Sequence, residues 1–224
     1  MRLMDIPESQ RPREKLLLLG ARSLSDAELL AIFFRTGIKG VNAIELAQQV
    51  LTLSQGLSPL LSASHDEFCQ LMGMGTAKYA QLQAAIELSK RHLLTDLQRD
   101  TVFNSPQAVT DFLKLELKGQ QRELFLVMFL DTQNRLITHE VMFQGTIDAA
   151  SVYPREVVKA ALKYNAAAVI FAHNHPSGIA EPSQADKLIT NKLTQSLALV
   201  DIRVLDHIVV GGSTCISFAQ VGYL

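Results

Sequence analysis

Tryptophan is absent from the 224-residue chain, and cysteine occurs only as Cys69 and Cys215. Two cysteines exclude a disulfide scaffold and a thiolate zinc site. The missing tryptophan carries no functional information. No apolar run approaches membrane-spanning length: Ala166–Ala172, among the longest, is far too short. An excess of one charge is also lacking. Twenty-one Lys and Arg face 22 Asp and Glu, for a net charge of −1, and residues 1–100 balance 11 against 11. Neither half is basic enough to hold nucleic acid through bulk charge. The opening MRLMDIPESQRPREK has no apolar core of the kind a secretory signal needs. A reduced, cytoplasmic protein without a membrane partner is the expectation.

What is present is a globular composition, with 48% hydrophobic and 19% charged residues. That suffices for one large core or two modest ones and argues against disorder. Residues 1–94 read as short helices. Ser25-x-x-Glu28 and Ser64-x-x-Glu67 have capping-box spacing ahead of apolar runs, Ile44–Leu53 is a helical pattern, and Ala77–Leu94 is a long amphipathic one. The polar stretch 95–104 predicts a linker, which divides the chain into a helical domain at 1–98 and a second domain at 102–224. Beyond it the period changes. Ser105-Pro106 suits the start of a helix running to about Leu117, and Leu124–Leu130 is a dense strand. Asp131–Asn134 is a turn and Arg135–Gln144 a paired strand. Pro154–Tyr164 and Ser183–Leu199 are helices around the buried strand Ala167–Ala172, and Ile202–Val210 and Thr214–Phe218 are strands. Alternating strands and helices make the second domain α/β with a mixed sheet.

The chemistry concentrates in Phe171–Asp186. His173 and His175 lie two apart at a strand end, so both imidazoles point to one face. Pro176, Ser177 and Gly178 turn the chain. Pro182-Ser183 then opens a helix with Asp186 in its first turn, where a carboxylate can swing back to the histidines. Two neutral imidazoles and one carboxylate suit Zn²⁺ and leave a fourth position for water, whose pKa zinc lowers to about 7. The plainer reading is that Ser183-x-x-Asp186 is a capping box serving only the helix end. Asp206-His207 lies in an apolar strand, where a satisfied core pair is favoured over a partner to a metal-binding histidine. In the helical part, Gly73-Met-Gly75-Thr-Ala-Lys78 has the look of a helix-hairpin-helix turn, which offers backbone N–H groups and the Lys78 charge to a DNA phosphate. A plain interhelical turn is the alternative.

His173-x-His175, seven residues, Ser183, two residues and Asp186 match the H-x-H-x7-S-x-x-D signature of the JAMM (MPN-type) metalloproteases. HNHPSG, PSxxD, LDHIVVG, SFAQVGYL and the early LSDAELLAIFFRTG resemble the bacterial RadC-type proteins over nearly the whole chain. The resemblance implies an α/β fold: a carboxy-terminal JAMM/MPN mixed sheet, cytidine-deaminase-like and flanked by helices, behind an all-helical, helix-hairpin-helix-like domain. It implies a zinc-dependent hydrolase, metallopeptidase in type, cleaving an amide or isopeptide bond in a protein or peptide substrate. His173, His175 and Asp186 would hold the metal, and Ser183 would donate to the oxyanion. A glutamate just before the first strand is the general base of such enzymes. Glu123 matches that position, with Glu140 in the next strand as its rival. A nucleobase deaminase is set aside, because H-x-E and P-C-x-x-C are missing. The alternative function is a DNA-associated repair or recombination accessory protein. Its helical domain would bind DNA non-specifically, and its metal domain would act as scaffold or nuclease.

Overall fold

A computed structural model of the chain describes residues 6–102, 106–117, 119–145 and 152–224. It separates into two units, Met1–Glu87 and Leu88–Leu224. The first is helical: α1 (Pro12–Leu19), α2 (Asp26–Phe34), α3 (Ala43–Leu53), α4 (Leu57–Ser62), α5 (His65–Gln70) and the first half of α6 (Thr76–Arg99). Ser25 and Ser64 form the two expected capping boxes, and Asn42 with Glu45 forms a third at α3. Each box satisfies N–H groups that a helix start leaves without partners. The helices close over Leu30, Phe34, Leu46, Val50, Leu60 and Phe68. α1 and α4 were not anticipated as helices. Pro12 at the first turn of α1 has its fixed φ already suited to a helix.

The division falls inside α6 rather than at the polar stretch 95–104. Residues 95–99 continue the helix, and Leu97 and Val102 are buried in the core of the second unit with Leu93 and Leu94 packed against it. The linker reading followed polarity; Leu93, Leu94 and Leu97 recur at helical spacing on one apolar face, Val102 follows in the turn beyond the helix, and their burial decides. The expected helix cap Ser105 lies outside the described residues, and α7 runs Pro106–Leu117.

The second unit is built on a five-stranded mixed sheet in the order β2-β1-β3-β4-β5. Its strands are β1 (Leu124–Leu130), β2 (Leu136–Gln144), β3 (Ala168–Asn174), β4 (Arg203–Gly211) and β5 (Thr214–Ser217), with α8 (Pro154–Lys163) and α9 (Gln184–Ala198) between them. β3 and β4 are parallel; the other neighbours are antiparallel. Helices cover both faces, so β1 and β3 are apolar on both sides. Leu126, Met128 and Leu130 of β1 join Ala168, Ile170 and Ala172 of β3 in the core under α7. Phe125, Val127 and Phe129 join Val169 and Phe171 in the core under α8 and α9. Alternation therefore puts His173 on the α9 face, paired in register with Phe125. Among the described residues no helix is long and apolar enough to cross a membrane.

Candidate metal centre

β3 ends at Asn174, and α9 begins ten residues later at Gln184. The chain between them carries Pro176, Ser177 and Gly178 (φ +81°), which let it double back. The return brings Asp186 to the two histidines. His173 Nε2 and His175 Nε2 lie 3.0 Å apart, with Asp186 Oδ1 3.3 Å from the first and Oδ2 3.4 Å from the second. In a tetrahedral zinc site with bonds near 2.0–2.1 Å, neighbouring ligand atoms stand about 3.3 Å apart. The spacing of this donor set therefore fits a zinc-sized cation. His175 Nδ1 donates to the Ile179 carbonyl at 2.8 Å, which leaves its Nε2 bare toward the cluster.

Asp186 is 8% exposed and serves two purposes at once. Oδ2 accepts from the Ser183 main-chain N at 2.7 Å and from Ser183 Oγ at 2.6 Å, while Ser183 Oγ accepts from the Asp186 N at 3.1 Å. This is the complete capping box. Oδ1 is left to His173, while Oδ2 caps the helix and also stands 3.4 Å from His175 Nε2. The capping and ligand readings are thus compatible in one side chain. Burial pushes the Asp186 carboxyl up, but His173, His175 and Ser183 together outweigh it and hold the group well below the usual carboxylate range. His175 is raised above the ordinary imidazole value, chiefly by the Asp186 carboxylate against the cost of burial. The Ile179 carbonyl and the charge of Glu123 add to the rise.

That contribution puts Glu123 within electrostatic reach of the cluster. Its backbone is held on two sides. The Glu123 carbonyl accepts from Gly145 N at 2.7 Å, and the adjacent Leu124 N donates to Asn174 Oδ1 at 2.8 Å. Asn174 Nδ2 donates to the carbonyls of Arg122 at 3.0 Å and Gln120 at 3.4 Å. The residue between the two histidines, 3% exposed, therefore clamps the segment that carries Glu123. The rival Glu140 is engaged elsewhere: its carboxylate accepts from the Tyr164 hydroxyl. Tyr164 packs on Phe129, which pairs with Val169 on β3, at the far end of the strand from His173.

His207 sits opposite Phe171 on β4 and is fully buried among Phe125, Phe171 and Phe218. Burial pushes its imidazole well below the ordinary value. Its Nε2 lies 2.8 Å from His173 Nδ1, and its Nδ1 lies 2.6 Å from Thr190 Oγ1. The side chains of Asp206 and His207 do not form the expected pair. Asp206 accepts from the His207 main-chain N, from Ser217 Oγ and from the Ala219 N. Thr190 and Asn174 escaped the sequence reading, and His207 was weighed there as a partner to a histidine ligand but placed second to a core pair with Asp206. Thr190 lies four positions beyond Asp186, a spacing that shares one helix face and could have flagged it. The Asn174 and His207 contacts depend on strand neighbours distant in sequence.

In the helical unit, the Gly73-Met-Gly75 segment does form a tight turn between α5 and α6, with Gly73 at φ +76°. Lys78 is half-buried and partnered within its own unit. Its Nζ donates to the Gly73 carbonyl at 2.6 Å and stands 5.3 Å from the Phe34 ring centroid, and burial pulls its pKa down.

A family model described as a RadC-like JAB domain matches residues 103–223, and one described as UPF0758 N-terminal matches residues 3–80. A UPF0758 protein of Pseudoalteromonas translucida (strain TAC 125) is 66% identical over the full length of both chains. One of Marinomonas sp. (strain MWYL1) is 60% identical over 99% of each. One of Nitrosomonas europaea is 57% identical over all of both. These names state no activity.

Proposed function

We propose, from the premise that this chain belongs to the UPF0758 family and carries its RadC-like JAB domain, that it is a zinc-dependent hydrolase of amide or isopeptide bonds. The observation that carries the reading is the convergence of His173 Nε2, His175 Nε2 and the Asp186 carboxylate at 3.0–3.4 Å. Bound by these three groups, zinc would supply a Lewis acid for the scissile carbonyl and acidify a coordinated water. Glu123 takes a proton from the attacking water as the new C–O bond forms. It returns that proton to the amine nitrogen as the C–N bond breaks. Ser183 keeps Asp186 seated. By turning its single proton away from Oδ2, it is also a hydroxyl available to the developing oxyanion.

The test measures metal and turnover separately. Purified protein should hold about one zinc per chain by elemental analysis, and a His173→Ala, Asp186→Ala double variant should lose it. Glu123→Gln should retain the metal and abolish cleavage across a panel of peptide and isopeptide substrates. Full zinc in the double variant, or undiminished turnover by Glu123→Gln, overturns the assignment.

A further inference from the structure

The hydrogen bonds around His207 form a chain that begins at a main-chain carbonyl, and that end gives the protons an order. A carbonyl oxygen can only accept, so the 2.5 Å contact between Thr190 Oγ1 and the Asp186 carbonyl uses the one proton of the threonine hydroxyl. At its 2.6 Å contact with His207 Nδ1, Thr190 must then accept, and His207 Nδ1 carries the hydrogen. A neutral imidazole has only one. His207 Nε2 is therefore bare and accepts from His173 Nδ1 at 2.8 Å. That places the single hydrogen of a neutral His173 on Nδ1 and leaves Nε2 bare. Nε2 is the atom that faces His175 and Asp186. The order runs without a break from a main-chain carbonyl in the first turn of α9 to the nitrogen that would ligate.

We infer that His207, oriented by Thr190, is the positioning residue that sets the tautomer of His173 and so keeps its Nε2 available to a metal. The inference rests on the metal-centre reading above. His175 is locked by a direct bond to the Ile179 carbonyl. Among the described residues no main-chain carbonyl hydrogen-bonds the ring of His173, which lies inside the sheet with a strand on either side and reaches a carbonyl through two side chains. Groups that orient ligating histidines in this way typically change metal affinity by about 10–100-fold when removed. Thr190 gives the sharper probe, because it touches neither His173 nor the ligand atoms. Without its hydroxyl, His207 is free to carry its hydrogen on Nε2. It would then donate to His173 Nδ1, move the His173 hydrogen to Nε2 and block the ligand atom.

The experiment uses the full-length chain. Long-range ¹H–¹⁵N correlation spectra of chelator-treated protein at pH 8 report which nitrogen of each histidine is protonated. Competition with a chromophoric chelator reports zinc affinity. Wild type should show His173 protonated on Nδ1. Thr190→Val should shift it toward Nε2–H and weaken zinc by about 10–100-fold, with Thr190→Ser restoring both. His207→Phe fills the same aromatic nest and should lose affinity to a similar degree while remaining folded. If it fails to fold, the Thr190 pair decides alone. Wild-type zinc affinity in Thr190→Val, or a wild-type His173 protonated on Nε2, overturns the inference. A wild type that binds no zinc overturns the metal reading instead, while the tautomer spectra still decide the hydrogen-bond order.

Discussion

Replacing Asn174 by Ala removes three hydrogen bonds and touches none of the three metal-ligand atoms. The bonds to Leu124 N (2.8 Å) and the Arg122 carbonyl (3.0 Å) are of ordinary length; that to Gln120 (3.4 Å) is weak. Losing a buried side chain that satisfies two main-chain groups leaves both without partners, at about 1–3 kcal/mol each. Leu124 is only half-buried, so water recovers part of that. A net cost of about 2–3 kcal/mol is expected, or a fall of roughly 5–10 °C in the unfolding midpoint. Because His173, His175 and Asp186 are untouched, zinc stoichiometry should hold while hydrolysis falls with the loosened Glu123 segment. Calorimetry and elemental analysis on the same preparation measure the two effects. Asn174→Asp should be worse than Ala, since it turns a carboxylate oxygen toward two carbonyls. An Ala variant that melts with wild type would show that the clamp contributes nothing and would remove the reason to place Glu123 through it.

Two other perturbations follow from the same unit. A Cβ on Gly211 would stand 2.5 Å from the Ile179 carbonyl carbon and 2.8 Å from Ala180 Cα, so Gly211→Ala must displace the loop that anchors His175. A loss of about 1–3 kcal/mol in urea unfolding is expected, together with weaker zinc binding, and wild-type values for both would refute the steric argument. His139 is half-buried against Phe112, and burial holds its pKa below 6.5, a fall that the charge of Glu116 opposes and that of Lys90 reinforces. The unfolded chain therefore takes up the proton first. The stability that His139 contributes is complete above pH 6.5 and is lost as pH falls toward its folded-state value. The slope is no more than about 1.4 kcal/mol per pH unit. His139→Leu should flatten the profile between pH 6.5 and 5; identical slopes in the two proteins would count against it.

Local rules made much of the molecule readable before the coordinates. The Ser25 and Ser64 boxes marked helix starts, the dense apolar run of β1 marked a strand, and that of β3 marked a strand covered on both sides. The metal triad was legible because its parts obey local periodicities: two residues along a strand, then a helix start after a tight turn. The length of α6 was not legible, because the polar residues 95–99 conceal Leu97 until a core exists to bury it. The partner of His207 was not legible either. It depends on β3 lying beside β4, a pairing between segments far apart in sequence, whereas Asp206 was merely adjacent. Glu140 is separated from Glu123 by the hydroxyl of Tyr164, again a contact that no spacing announces.

Asp186 closes the first turn of α9 through Oδ2, and its two oxygens stand 3.3–3.4 Å from the histidine nitrogens of the proposed metal site. Were that site to take the proposed cation, loading and the local order of the helix would be one equilibrium viewed from two ends. On the proposed metal reading, a chelator would act as a mild, site-directed denaturant, its effect concentrated in amide exchange at residues 184–187. An aspartate-to-alanine change is correspondingly a poor instrument for isolating metal chemistry, because it frays a helix in the same stroke. The half-buried His175 offers the cleaner excision.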